Sequence, residues 1–143
     1  MNILLVSHGK LCDGVLDAFK MLVAGSKNVH ALGLTESGVG DFRARLEAKV
    51  SELTAEGDLL ILADLKGGTP YNESYVCLLK NPEHIRLAAG LSLPMVLEAG
   101  IAAMDSDDLD AIYKTALDAG SFGVQGTDIP TEDDSSDQDD DLF

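Results

Sequence analysis

The amino-acid sequence predicts an open α/β domain. Its sheet is mainly parallel, four-stranded and ordered 2-1-3-4, with helices on both faces. Three observations carry this reading. Short apolar runs recur at Ile3-Leu4-Leu5-Val6 and Leu59-Leu60-Ile61-Leu62 with no polar alternation, as strands buried on both faces require. Between the apolar runs lie segments whose apolar residues repeat at helical spacing. The resulting order, βαβαβαβα, is that of a parallel sheet joined by helical crossovers.

Each element has its own signal. Residues 3–6 form the first strand, which stops at Ser7-His8-Gly9. Val15, Ala18, Phe19, Leu22 and Val23 share one helical face, and Gly25 suits its end. Residues 28–34 read as the second strand, with a turn at 38–40. Phe42, Leu46, Val50 and Leu53 mark the next helix. The third strand spans 58–64. After the loop Leu65-Lys66-Gly67-Gly68, Thr69 and Pro70 look like an N-cap followed by proline at the first helical position. That helix runs to about Lys80, where Asn81-Pro82 stops it. Residues 84–89 supply the fourth strand. Residues 93–104 form a helix apolar over most of its circumference, which calls for a cover. Leu109, Ile112, Tyr113, Ala116 and Leu117 mark a last helix ending near Gly120, and 122–129 suit a short extra strand.

Charge and composition exclude several classes. The chain of 143 residues has 25 acidic and 10 basic side chains, a net charge of -15. Nucleic-acid binding and docking to anionic lipid both depend on clustered Lys and Arg, so neither is expected. Eight acids and no base fall at 128–143, which leaves a body, 1–127, with a net of -7. The division is therefore a globular domain over 1–127 and an acidic, solvated tail over 128–143. Two cysteines, Cys12 and Cys77, make no disulfide framework. No apolar run reaches 18 residues, and the first seven are too short for a signal peptide, so a cytoplasmic location is expected.

Open parallel sheets bind ligands beyond the carboxyl ends of their strands, at the switch point of the strand order. With the order 2-1-3-4 that point lies between strands one and three. His8 and Asp64 follow these two strands. A carboxylate on one ring nitrogen fixes the tautomer and leaves the other nitrogen as nucleophile or base. Gly9, Gly67 and Gly68 permit close backbone approach. The helix start at Thr69-Pro70 offers unpaired N–H groups to an anion. Together these suit a histidine that carries a phosphoryl group. The same residues also suit a simpler reading, a loop histidine and a capping aspartate. His30 and His84 fall inside strand patterns and are read as structural. No metal is expected, because one His and one Asp lack a third ligand. Walker and Gly-x-Ser-x-Gly elements are both missing.

Three motifs resemble one known family. They are Val6-Ser7-His8-Gly9 with Gly14, then Asp64 through Asn72 (DLKGGTPYN), then Ala89 through Glu98 (AGLSLPMVLE). Their order and spacing resemble the IIA component of the mannose-class sugar phosphotransferase system, related to the phosphotransfer subunit of dihydroxyacetone kinase. The resemblance implies that His8 takes a phosphoryl group on Nε2 from the phosphocarrier HPr and passes it to a IIB component. The membrane components IIC and IID are then served indirectly. It implies that Asp64 orients His8, that Thr69 lies near the phosphoryl group, and that Lys66, Pro94 and Met95 belong to partner-facing loops. It further implies a homodimer that exchanges an antiparallel C-terminal strand drawn from 122–127, which would cover the apolar helix 93–104. No cofactor is implied, since the phosphate arrives already activated. Lys66 stands where an aromatic is usual, Ser92 where Asn is frequent, and Cys12 where a small apolar residue is usual. Two other functions fit the same residues: dihydroxyacetone phosphorylation, and a non-enzymatic regulator switched by phosphorylation. The acidic body suggests a basic patch on HPr, with transfer slowing as salt rises.

Overall fold

A computed structural model describes residues 1–132. Its elements are β1 (Asn2–His8), α1 (Leu11–Leu22), β2 (Val29–Leu34), α2 (Val39–Thr54), β3 (Leu59–Ala63), α3 (Thr69–Lys80), β4 (Ile85–Ala89), α4 (Leu93–Asp105) and α5 (Leu109–Phe122). All three ladders are parallel and the strand order is β2-β1-β3-β4, as expected. No helix among the described residues is long and apolar enough to cross a membrane.

The central strands divide their side chains between two cores. Ile3, Leu5, Leu60 and Leu62 face α1, α4 and α5, where they meet Phe19, Val96, Ala99 and Ile112. Leu4, Val6, Leu59, Ile61 and Ala63 face α2 and α3, where they meet Phe42, Leu46, Leu53 and Cys77. Alternate residues of one strand thus enter opposite cores, which is why β1 and β3 carry unbroken apolar runs. Phe19 is fully buried, and a Cβ on Gly100 of α4 would lie 2.7 Å from its ring. The α1 and α4 backbones approach over that ring. Phe19→Ala is expected to cost about 3–5 kcal/mol, read as a lower denaturant midpoint at unchanged slope.

Several expectations need correction. β1 runs through His8, which is in register with Leu34, so the histidine ends the strand instead of following it. α1 starts at Leu11, four residues before its first apolar signal. The buried Ser7 hydroxyl accepts the Cys12 N–H at 2.8 Å and secures the early turn. The helix over 93–104 needs no exchanged strand to explain its composition. It lies between the sheet, α1 and α5, and its Met95, Val96, Leu97, Ala99 and Ala103 are buried in the chain's own core. The strand expected at 122–129 does not form within the chain. α5 continues to Phe122, Gly123 closes it by donating to Ala119 O at 2.9 Å, and 124–131 joins no ladder. Most of the expected acidic tail lies outside the described residues.

Candidate active site

The carboxyl ends of β1 and β3 bring together two residues 56 positions apart. His8 Nδ1 lies 2.8 Å from Asp64 Oδ2, and the same oxygen accepts the His8 backbone N–H at 2.9 Å. Asp64 Oδ1 accepts the Leu65 N–H, also at 2.9 Å. One carboxylate thereby holds both the main chain and the ring of His8. An ionised carboxylate only accepts, so it fixes the ring proton on Nδ1 and leaves the Nε2 lone pair free. The His8 side chain is 50% exposed while Asp64 is 10% exposed. The imidazole faces solvent and the carboxylate that holds it does not.

Electrostatics agree with this division. Burial pushes the Asp64 carboxyl up, but the hydrogen bonds from His8 and Leu65 outweigh it and hold it below its ordinary value. A depressed folded pKa means that Asp64 stabilises the fold fully above the ordinary carboxylate range. That contribution is lost as pH falls through the folded value. The stability gap between the native chain and Asp64→Asn should therefore be wide at pH 7 and close in strong acid, as denaturation at each pH measures.

The second wall comes from the β3–α3 loop. Gly67 has φ of +85°, a conformation that glycine adopts without the Cβ penalty. Asn72 Nδ2 donates to the Gly67 carbonyl at 3.0 Å and holds the turn. Gly68 then lies against the imidazole: a Cβ there would be 2.8 Å from Cε1 and 3.5 Å from Nε2 of His8. Gly68→Ala should push the ring off Asp64 and cut any phosphoryl labelling of His8 by about tenfold or more, since small displacements of a reacting group are costly. Quantified labelling of the folded variant checks this.

The backbone donors differ from the sequence expectation. Gly9 N–H bonds Leu34 O at 2.8 Å and Gly68 N–H bonds Leu65 O at 3.1 Å, so neither amide is free for an anion. Both glycines serve shape instead of donation. Gly68 is the N-cap of α3, with Thr69 and Pro70 as the first two helical residues, so Thr69 is not the cap. Among the described residues the Thr69 amide and hydroxyl have no partner. They lie at the positive end of α3, beside the loop that touches the imidazole. The start of α1 adds a second helix N-terminus three residues after His8.

Other candidates separate. Lys66 is exposed on the loop next to the dyad. Pro94 is exposed at the second position of α4, but Met95 is 3% exposed in the core beneath α5, so it offers no surface to a partner. The cause is helix phase: Ser92 Oγ caps α4 by accepting the Met95 N–H at 3.4 Å, which turns that side chain inward. Cys12 is fully buried, and burial pushes its thiol up, so it is not an activated thiol. His84 pairs with Asp58 at 2.7 Å at the opposite end of the sheet, and His30 meets Asn2 at 3.1 Å. Sequence reasoning assigned no role to Ser7, Asn72 or Arg45. Arg45 donates to the Gly33 carbonyl at 2.8 Å and lines a groove beside His8. Asn72 lies within a quoted motif, whereas nothing in the sequence marks Arg45.

The fold and site define an open doubly wound α/β domain whose switch point holds a solvent-facing imidazole locked by a carboxylate. Residues 2–117 match the family model EIIA-man, described as PTS system fructose IIA component, and the chain belongs to this family. It is 31% identical over 104 residues to the sorbose-specific EIIA component of Lacticaseibacillus casei, covering 72% of this chain and 74% of that protein. It is 25% identical over 124 residues to the mannose-specific EIIAB component of Escherichia coli (strain K12), covering 86% of this chain. The chain spans 38% of the length of that EIIAB protein. Among solved structures it is similar to the mannose/sorbose specific IIA subunit of the phosphotransferase system from Enterococcus faecalis. There the TM-score is 0.80 at 29% identity, over 91% of this chain and 96% of that one.

Proposed function

We propose that this chain is a phosphoryl carrier of a sugar phosphotransferase system, taking phosphate from HPr on His8 Nε2 and giving it to a IIB component. The observation that carries this reading is the Asp64 clamp, which occupies Nδ1 and leaves Nε2 exposed. The Nε2 lone pair attacks the phosphorus of the donor's phosphohistidine. The donor N–P bond breaks, and its electron pair stays on the donor ring. The Nδ1 proton remains between His8 and Asp64, where the carboxylate stabilises the imidazolium character of the product. Thr69 Oγ1, the free amides of α3 and the positive helix end supply donors for the phosphoryl oxygens. Transfer to IIB reverses the same steps, with sugar entering only at the membrane components IIC and IID.

The domain of this activity is 1–127, and it acts in the cytoplasm as a homodimer. Phe122 and Val124 are 76% and 88% exposed and supply apolar surface for the subunit contact. Incubation with phosphoenolpyruvate, enzyme I and HPr should place an acid-labile, alkali-stable phosphate on the chain, and a chase with IIB should remove it. Label that stays on the chain after the IIB chase would overturn the carrier role.

A further inference from the structure

The wall against the imidazole is built from a peptide that glycine leaves free to turn. Gly67 and Gly68 both lack a Cβ, so the unit between them rotates at low steric cost. Three hydrogen bonds fix the segment. The Gly68 N–H bonds Leu65 O at 3.1 Å, the Gly67 carbonyl accepts from Asn72 Nδ2 at 3.0 Å, and the Gly68 carbonyl accepts from the Asn72 N–H at 2.9 Å. Asn72 thus holds two successive carbonyls, one on each side of the Gly68 Cα.

Two of these bonds join main-chain groups and form whatever residue stands at position 72. The bond to the Gly67 carbonyl alone depends on the asparagine side chain. Alanine has no donor there, and an aspartate of the same shape has only acceptors. The base from which Asn72 reaches is itself fixed. The next residue, Glu73, is 14% exposed and takes two bonds from the Arg43 guanidinium of α2, at 2.9 and 2.8 Å. The start of α3 is therefore tied to α2, and Asn72 carries that rigidity into the loop. Asn72 itself is exposed, where one neutral hydrogen bond adds little to the stability of the fold.

We infer that Asn72 is a positioning residue for phosphoryl transfer at His8, acting through the Gly67 carbonyl and the Gly68 Cα. This rests on reading His8 as a phosphoryl carrier. Asp64 holds the ring at Nδ1. Gly68 limits it along the Cε1–Nε2 edge, where a Cβ would lie 2.8 Å from one atom and 3.5 Å from the other. With the Gly67 carbonyl released, that limit shifts, and Nε2 leaves the line of attack more often. Transfer between two side chains is sensitive to such displacements. Asn72 need not touch the phosphoryl group to have this effect, because it works on the ring before any donor arrives.

The test compares Asn72→Ala and Asn72→Asp with the native chain. Quenched flow gives the rate of transfer from phosphorylated HPr, and phosphoramidate gives the rate at Nε2 without a protein donor. NMR of the unphosphorylated chains reads the His8 Cε1–H and both ring nitrogens, with His30 and His84 as internal references. The expected result is a loss of about tenfold with both donors in both variants, with the His8 Cε1–H signal moved and the references unmoved. A loss of at least threefold with that signal moved supports the inference. A smaller loss in either variant overturns it. A loss with the His8 signal unmoved also overturns it, because Asn72 then acts on the phosphoryl group, which these chains lack. Reference signals that move as far as that of His8 overturn it too, because the change is then general. If the native chain labels with neither donor, the carrier reading itself fails, while the NMR comparison still decides whether Asn72 holds the ring.

Discussion

Replacing His8 with alanine is expected to abolish phosphorylation of this chain by phosphoenolpyruvate, enzyme I and HPr, with no residual acid-labile label above background. The geometry leaves no substitute nucleophile within the site. Cys12 is buried with its thiol pushed up. His84 lies at the amino end of β4, the far end of the sheet, and His30, on β2, is held against Asn2 of β1. The substitution removes an exposed side chain, so the fold should survive it. Retained far-ultraviolet circular dichroism would separate loss of chemistry from loss of structure. Label persisting on the variant would move the phosphoryl site elsewhere.

Asp64→Asn should be nearly as severe, lowering the transfer rate by about two to four orders of magnitude, as seen when an orienting carboxylate is removed from a catalytic histidine. The cause is a mismatch of donors. Asp64 accepts from the His8 N–H and ring on Oδ2 and from the Leu65 N–H on Oδ1. An amide has only one oxygen. If that oxygen faces His8, its NH2 group confronts the Leu65 N–H. If it faces Leu65, the NH2 confronts the His8 N–H and the ring nitrogen. The second arrangement favours the tautomer protonated on Nε2, which has no lone pair there. Quenched-flow measurement of transfer from phosphorylated HPr gives the rate, and a rate within threefold of native would refute the orienting role.

Much of the site follows from pattern alone, and the reason is topological. The unbroken runs at 3–6 and 59–62 identify strands buried on both faces. Once these are the first and third strands of a 2-1-3-4 sheet, the residues at their carboxyl ends must be neighbours. His8 and Asp64 are therefore legible 56 residues apart. The glycines after them are legible as sites of close approach, but not their use. That the Gly9 and Gly68 amides are already bonded, to Leu34 and Leu65, depends on loop paths that no periodicity encodes.

The elements misread share a cause. α1 begins early because the Ser7 hydroxyl accepts the Cys12 N–H in its first turn. Met95 turns inward because Ser92 sets the phase of α4. The apolar surface of α4 is covered by α5 and α1, a contact between segments that composition cannot pair. Each depends on where a side chain reaches after the backbone has folded.

What the chain's residue order determines by itself is thus the layer architecture, the parallel sheet and the pairing of an imidazole with a carboxylate at the switch point. Burial pattern and crossover handedness leave few other solutions. The folded molecule alone decides which ring nitrogen is free, which amides remain unspent, and that Gly68 forms the wall against the imidazole. These are matters of ångströms, set by contacts between distant segments, and they make the difference between a histidine near an aspartate and one whose Nδ1 is held while its ring faces solvent.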